Sequence, residues 1–472
     1  MSKPSTPPGP LATPPPEAWD GLLHLARLAT RPLEQFLRIE AASGILLLVA
    51  AAAALIWANS PWSASYTQLW ETPLGLRLGP FAFERTLAWW VNDGLMAIFF
   101  FAVGLEIRRE IHHGELSEWR RAALPAAAAL GGAVVPALIY LVIAGDPATR
   151  SGWGVPMATD IAFAVGILTL LGKRVPPALR VLLLAVAVID DLGAIIVIAL
   201  FYSSGVAVMG FVVAAAGLAG MLLMQRLGVR SRAAYIAPAV VVWAGIYAAG
   251  VHPTIAGVLV GLITPIRAWL GTEGFLVSVR QELAQLAAAP VGGHSAHALS
   301  SSLHQVQLAR REAMSPAEGL IESLHPWVAF GIMPIFALAN AGVSLSGGSF
   351  DGASWMVASG VAVGLMVGKP VGLLIATGLV IRLGIARLPA GLNLRHVLVL
   401  GVVAGVGFTM ALFITQLAFA DAALLGAAKM GVLVASGGAA IGALVLGRLL
   451  LPTAIAADAA RSADEAEGSN PM

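Results

Sequence analysis

Two adjacent carboxylates, Asp190 and Asp191, lie near the middle of an apolar stretch that runs from Val181 to Tyr202. As a helix that rises about 1.5 Å per residue, this stretch is long enough to cross a bilayer. A charged side chain at the centre of a membrane-spanning helix costs about 2.5–3.5 kcal/mol on insertion scales. A pair is therefore expensive as packing alone, although a polar pair satisfied inside a helix bundle is the alternative. We expect an ion-binding or proton-binding site at mid-membrane.

Two further ionisable residues interrupt apolar stretches elsewhere in the chain. Lys369 lies in GLMVGKPVGLL, about 20 Å from the start of its span by helical rise. Asp160 lies in GVPMATDIAFAVG, directly after Thr159. A buried lysine normally has a carboxylate partner, and such a pair either serves transport or only pins two helices together. Depth along the helices predicts that these residues share one chamber with the paired aspartates.

Proline and glycine predict interruptions in the helices that must position these side chains. Pro156 precedes Asp160 and removes a backbone donor from the preceding turn. Gly405 and Gly407 lie within GVVAGVGFTMALF, in the other half of the chain. Glycines also serve plain helix packing. Paired interrupted spans nevertheless point to the binding site of a transporter.

Composition identifies the class of protein. The chain has 472 residues, of which 58% are apolar and only 11% are charged, whereas a soluble domain carries about 25% charged residues. The apolar runs do not alternate with polar residues, which argues against an outer-membrane barrel. The net charge of +2 does not favour a nucleic-acid partner, and the lack of cysteine excludes disulfides and thiolate chemistry. We expect an integral membrane protein made mostly of helices.

We predict twelve spans, from Glu40–Asn59 to Leu424–Leu451, and the alternating pattern of the GLRLGPFAFER loop after the first span favours a small hairpin. The spans that matter below are span four (Trp153–Leu171), span five (Val181–Tyr202), spans seven and eight (Ala233–Ala249 and Ile255–Ile266), span nine (Trp327–Val343), span ten (Trp355–Ile381) and span eleven (Val397–Phe419).

Basic residues predict the orientation. With the N-terminus inside, the inner segments hold 22 arginines and lysines and the outer loops hold three, namely Arg77, Arg85 and Arg150. The positive-inside rule then places both termini in the cytoplasm. The predicted organisation is a disordered cytoplasmic tail (1–36), a transmembrane domain (37–452) with a long cytoplasmic loop (267–322), and a disordered C-terminal tail (453–472). The first segment is rich in proline and is not a signal peptide.

The chain resembles the NhaA-type sodium/proton antiporters in several stretches between about Leu37 and Leu451. The most specific are ATDIAF, IDDLGA and GKPVG, and the others are NDGLMAIFFFAVGLEIRRE, HPWVAF with ALANAGVSL, and AGVGFTMALF. The resemblance implies an all-α integral membrane protein with about 12 transmembrane helices, an inverted-repeat transporter in which helices four and eleven are interrupted.

The resemblance also implies roles for the buried ionisable residues. Asp191 would be the main ligand of sodium or lithium, with Asp190 beside it and Thr159 in the same set. Asp160 and Lys369 would balance the partial charges of the interrupted helix ends, and Lys369 would pair with Asp190. The activity implied is electrogenic, pH-regulated exchange of cytoplasmic Na+ or Li+ for external H+ in the bacterial cytoplasmic (inner) membrane. It requires no cofactor, and a homodimer joined partly through the outer hairpin is expected.

A second group of residues lies at the predicted inner end of span two (Thr86–Ile107). By resemblance, Glu106, Arg109 and Glu110 form a pH-responsive cluster, whereas composition alone favours a solvated anchor. His252, at the outer end between spans seven and eight, either modulates the pH response or only caps and packs. The chain departs from the family pattern at Ile321, where an acidic residue is expected one place before Glu322, and the inner segment before it is unusually long.

Three other functions need different residues. A sodium- or proton-coupled symporter of a small organic solute, the main alternative, would need polar or aromatic groups to hold the solute. An intramembrane aspartyl protease would need a Tyr-Asp pair and a Gly-x-Gly-Asp motif, which neither aspartate context matches. A channel would need a repeated selectivity filter.

Overall fold

The computed structural model describes residues 41–78, 81–203, 205, 207–229, 231–288, 296–344 and 351–451. Both predicted tails, residues 1–36 and 453–472, lie outside the described residues. Within the described residues the chain folds into α-helices joined by short connections, with a β-hairpin after the first two helices.

The helices are numbered in chain order. They are α1 (Ala41–Ala58), α2 (Ser63–Glu71), α3 (Leu87–His113), α4 (Trp119–Ile143), α5 (Ile161–Leu171), α6 (Pro177–Phe201), α7 (Val208–Arg226), α8 (Ile236–Ala248), α9 (Thr254–Ile263), α10 (Gly271–Ala288), α11 (Ala296–Ala313), α12 (Pro316–Asn340), α13 (Gly352–Arg382), α14 (Leu394–Ala404), α15 (Phe408–Ala418) and α16 (Ala422–Leu450).

Seven of the described helices are long and apolar enough to cross a membrane, and the number rises to ten if each of three bent helix pairs is one span. Predicted spans seven and eight correspond to Arg232–Ala248 and Thr254–Ile263, which are apolar but shorter than the long helices. The all-α architecture is confirmed, and the count of twelve spans stays a prediction.

The expected hairpin forms between β1 (Pro73–Leu78) and β2 (Phe81–Thr86). The strands are antiparallel, and Pro73 lies opposite Thr86. The Trp90 indole donates a hydrogen bond to the Leu74 carbonyl oxygen at 2.9 Å. This bond fixes the hairpin to the beginning of α3.

The segment that the sequence predicts to be a loop, residues 267–322, is mostly helical where the structure describes it. Helices α10 and α11 pack against each other. Helix α12 then begins at Pro316, well before the predicted start of span nine at Trp327. A capping box explains this early start, because the Ser315 hydroxyl accepts from the Glu318 backbone N–H at 3.1 Å and the Glu318 carboxylate accepts from the Ser315 N–H.

The two interrupted helices predicted by sequence are both present. A short 3₁₀ helix, Arg150–Met157, meets the α5 segment at a bend of 40°, and α14 meets α15 at a bend of 49°. The breaks cross each other, because the Asp160 N–H donates to the Val406 carbonyl oxygen at 2.8 Å. Gly407 permits this close approach, since a Cβ there would lie 2.9 Å from the Ala158 carbonyl oxygen.

Helix α13 reaches the crossing because it packs tightly against α4. A Cβ on Gly372 would lie 2.1 Å from the Gly131 carbonyl oxygen, and a Cβ on Gly131 would lie 2.2 Å from that of Gly372. The paired glycines therefore allow the two backbones to touch. A π-helical turn, Gly364–Gly368, ends directly before Lys369, and such turns frequently accompany functional sites.

Candidate functional site

The centre of the crossing holds an ion pair between two buried side chains. Lys369 Nζ lies 2.6 Å from Asp190 Oδ2, and the two side chains are 1% and 2% exposed. Thr159 donates its hydroxyl to the same carboxylate oxygen at 2.6 Å. Lys369 also donates to the Met157 carbonyl oxygen, at the C-terminal end of the short 3₁₀ helix. The ammonium group thus faces the negative end of one helix and a carboxylate together.

Asp160 occupies the opposite kind of position, at two helix N-termini. Its Oδ1 accepts from the Phe163 N–H at 3.0 Å and so caps α5. Its Oδ2 accepts from the Thr409 N–H at 3.1 Å and from the Thr409 hydroxyl at 2.5 Å, in the first turn of α15. A carboxylate at these ends compensates two positive dipole termini and supplies acceptors for otherwise unpaired donors.

Asp191 differs from the other two aspartates in its hydrogen bonding. Its side chain is buried, and its Oδ2 has no hydrogen-bond partner among the described residues. An unpaired buried carboxylate oxygen is costly unless it takes up a proton or a cation. Sodium, as a hard cation, favours oxygen donors. The described residues contain no group of three or more His, Asp and Glu side chains that would hold a resident metal ion.

The structure brings together Asp160, Asp190, Lys369 and Thr159, as the sequence predicts, and places Asp191 next to them in α6. Glu106, on α3, lies within Coulombic range of Asp191. Arg109 and Glu110 lie further along α3, with 3.6 Å between Arg109 Nη2 and Glu110 Oε1. Glu110 also accepts from the Glu115 N–H at 3.2 Å. Their proposed roles in regulation stay predictions.

His252 lies beside the start of α9, away from Arg109 and Glu110. Its Nδ1 lies 2.8 Å from the Thr254 hydroxyl, and its Nε2 lies 3.3 Å from Asp93 Oδ1. Asp93 was missed by the sequence reasoning. The signal that identifies it is an acidic residue inside an apolar span, the same signal that points to the other buried aspartates. Asp93 lies in the π-helical turn Trp90–Leu95 of α3.

Comparison with known proteins agrees with this geometry. The model of the family described as Na+/H+ antiporter 1 matches residues 34–446. A protein of Myxococcus xanthus named Na(+)/H(+) antiporter NhaA 2 is 68% identical over 99% of this chain and 99% of its own length. Proteins of the same name from Sorangium cellulosum and Pseudomonas putida are 57% identical over 96% of this chain and 97% of their own, and 51% identical over 93% and 97%. The chain is therefore an all-α membrane transporter that belongs to the Na+/H+ antiporter 1 family.

Proposed function

We propose that this transporter exchanges sodium ions for protons at Asp190 and Asp191. The observation that carries the proposal is that two neighbouring buried carboxylates differ in their hydrogen bonds and ion pairs. Asp190 is held by Lys369 at 2.6 Å and by Thr159, whereas Asp191 keeps an unpaired oxygen. Asp191 is then the group that accepts a proton or a sodium ion.

Competition for the same oxygen couples the two ions. Two adjacent carboxylates in a medium of low dielectric cannot both remain ionised cheaply, so an empty site takes up protons. A sodium ion supplies the missing positive charge and displaces the proton. Exchange follows when the site carries a sodium ion while it opens to one side of the membrane and protons while it opens to the other. During this competition the carboxylate of Asp190, next to Asp191, stays ionised because it is paired with Lys369.

Finer features of the transport cycle are part of the same proposal. Lithium, with the same charge and preference for oxygen, is accepted in place of sodium. The exchange is electrogenic, with more than one proton per sodium ion, and regulated by pH through Glu106, Arg109, Glu110 and His252. The protein acts as a homodimer in the bacterial inner membrane, with both termini in the cytoplasm.

The contacts at the crossing favour an inorganic cation over an organic solute. A solute would need hydroxyl or amide groups to hold it. The nearest hydroxyls, on Thr159 and Thr409, already donate to Asp190 and Asp160. Transport of an organic solute driven by sodium would overturn the exchange proposal in favour of symport.

The test is collapse of a preformed pH gradient in everted vesicles on addition of sodium, lithium or potassium, measured across about pH 6.5 to 9, where histidines and shifted groups titrate. We expect sodium and lithium, but not potassium, to release protons. Asp191→Asn should abolish this response, because the amide can neither bind a proton nor supply a negative charge.

Asp421→Asn is the matched control for the same chemical change. Asp421 is exposed and caps α16 through the Ala423 and Leu424 N–H groups, a role that asparagine also performs. Its vesicles should respond as the wild type does. Full sodium-dependent exchange by Asp191→Asn would refute the assignment of the site.

A further inference from the structure

Three helices are joined by a chain of neutral amide side chains at their outer ends, the ends nearest the β-hairpin. Gln416 of α15 donates from Nε2 to Asn340 Oδ1 at 2.7 Å. Asn340, the last residue of α12, donates from Nδ2 to Asn92 Oδ1 at 2.8 Å and to the Phe336 carbonyl oxygen at 3.0 Å. Asn92 lies in the π-helical turn of α3. Asn340 is 1% exposed, so this amide chain is an internal contact.

Aromatic rings fill the space on the inner side of the amide chain. The ring of Phe413 lies 5.4 Å from that of Phe100, 6.2 Å from that of Phe336 and 5.3 Å from the imidazole of His252. The three phenylalanines are essentially unexposed. A tightly packed apolar layer excludes water and therefore blocks the passage of a hydrated cation.

One face of α15 connects this closure to the ion site. Thr409, Phe413 and Gln416 follow the i, i+4, i+7 spacing and lie on the same side of the helix. The first contacts Asp160, the second contacts the aromatic layer and the third contacts Asn340. Gln416 is therefore about 10 Å outward of Thr409 by helical rise. A route from the site to the outer face along α15 is therefore blocked at two levels, first by the aromatic layer and then by the amide chain.

We propose that the amide chain of Gln416, Asn340 and Asn92 is the outer latch of the transport path, which separates each time the site opens to the outside. This inference rests on the proposed function, because a latch is needed only if the site faces both sides in turn. Neutral amides suit the role. A charged latch would bind the passing cation, whereas a neutral hydrogen bond contributes modestly and can be broken in every cycle.

The latch is tested by reaction of a buried thiol from outside. The chain contains no cysteine, so Ala337→Cys supplies a single thiol. Ala337 is fully buried and lies one turn inward of Asn340 on the same face of α12. The measurement is the rate at which a membrane-impermeant, charged thiol reagent modifies this cysteine in right-side-out vesicles. Removal of one neutral hydrogen bond by Gln416→Leu should raise that rate about two- to ten-fold.

Three further measurements separate a latch from general loosening of the fold. Asn92→Leu removes the other end of the amide chain and should raise the rate in the same way, even if Gln416→Leu fails to fold. Gln225→Leu is the matched control, because the Gln225 amide joins α7 to the Ile263 carbonyl oxygen at 3.1 Å, away from the latch. Its rate should not change. Modification from the inner side, in everted vesicles, should not increase in any variant.

Unchanged outside rates in both Gln416→Leu and Asn92→Leu, or equal increases from both sides of the membrane, would overturn the latch. The readout does not depend on sodium exchange. A faster outside rate together with absence of sodium-dependent proton release in the wild type would refute the proposed function. Intact exchange together with unchanged rates would refute the latch alone.

Discussion

Two ion pairs of the same chemical kind lie at different depths of the molecule. The Lys369–Asp190 pair at the helix crossing is 2.6 Å long, and its side chains are 1% and 2% exposed. The Arg109–Glu110 pair near the C-terminal end of α3 is 3.6 Å long, and its side chains are 41% and 19% exposed. Water can replace either partner in the second pair and neither partner in the first.

The difference predicts how strongly each pair depends on both of its partners. At the crossing, the partners of Lys369, Asp190 and the Met157 carbonyl oxygen, belong to buried residues. The loss of one charge therefore leaves the other uncompensated in a medium of low dielectric. Near the C-terminal end of α3, the two charges are partly hydrated and the pair contributes little to stability. The partly exposed pair is therefore in contact with the solution, whereas the buried pair is not.

The largest effect should come from removing one partner of the buried pair. Lys369→Ala leaves Asp190 without its positive partner, with Thr159 as the remaining donor. It also leaves the Met157 carbonyl oxygen without the Lys369 donor. We expect it to lower the free energy of unfolding by about 3–5 kcal/mol, whereas Arg109→Ala should cost less than about 1 kcal/mol. Thermal unfolding in detergent, followed by tryptophan fluorescence, measures both.

A double variant sharpens this comparison. If the cost comes from an uncompensated charge, Lys369→Ala combined with Asp190→Asn should be more stable than Lys369→Ala alone. Equal losses for Lys369→Ala and Arg109→Ala, or a double variant with the summed loss, would show that burial does not distinguish the two pairs.

An intermediate effect is expected from two buried threonines that differ only in their partners. The Thr409 hydroxyl donates to Asp160 at 2.5 Å, whereas the Thr377 hydroxyl of α13 has no partner among the described residues. Thr409→Val removes one of the two donors to the buried Asp160 Oδ2, which keeps the Thr409 N–H, and should cost about 1–3 kcal/mol. Thr377→Val, which removes an unsatisfied hydroxyl, should be neutral or stabilising. The same unfolding assay compares them. A loss of unfolding free energy in Thr377→Val as large as in Thr409→Val would show that the partner of the hydroxyl does not decide the effect.

The sequence predicts the charged part of the site better than the neutral part. Asp160, Asp190, Asp191 and Lys369 are recognisable because charges are rare and expensive in apolar spans. The contacts of Asn340 and Gln416 are not recognisable in the same way, since single amides and hydroxyls are common in such helices. Their partners lie far apart in the chain, and only packing of three helices brings them together.

For the fold, the sequence predicts the local features better than the contacts between distant segments. Pro156 and Gly407 indicate where two helices are interrupted, because each has a local backbone consequence. The crossing of the two breaks, through the Asp160 N–H and the Val406 carbonyl oxygen, depends on contacts between distant segments. The polar segment 267–322 is predicted as a long cytoplasmic connection because it interrupts the series of apolar spans. Its helices α10 and α11 are rich in alanine, leucine, glutamine and arginine, which have good helix propensity, but hydropathy alone does not indicate them.

Two aspartates that cap helices extend the comparison from ion pairs to single carboxylates. Asp160 caps α5 inside the crossing, and Asp351 caps α13 at the exposed rim, where its Oδ1 accepts from the Ser354 N–H at 2.8 Å. The hydrogen bond from the Ser354 N–H lowers the pKa of Asp351. Asparagine preserves a cap at either position but removes the negative charge.

The smallest effect, and one that depends on pH, is expected for Asp351→Asn. A lowered pKa in the folded state means that the charged cap stabilises the fold above the ordinary pKa of a carboxyl group and loses this contribution as pH falls through the folded pKa. The wild type should therefore melt slightly above Asp351→Asn at pH 7, and the two should converge in acid. Melting temperatures measured from pH 7 down to about pH 3, the range in which carboxyl groups titrate, check this.

Glu71→Gln, at an exposed C-terminal helix end where a negative charge gives no capping benefit, is the control. A difference between wild type and Asp351→Asn that stays constant or grows toward acid would show that the cap acts through its shape and not through its charge.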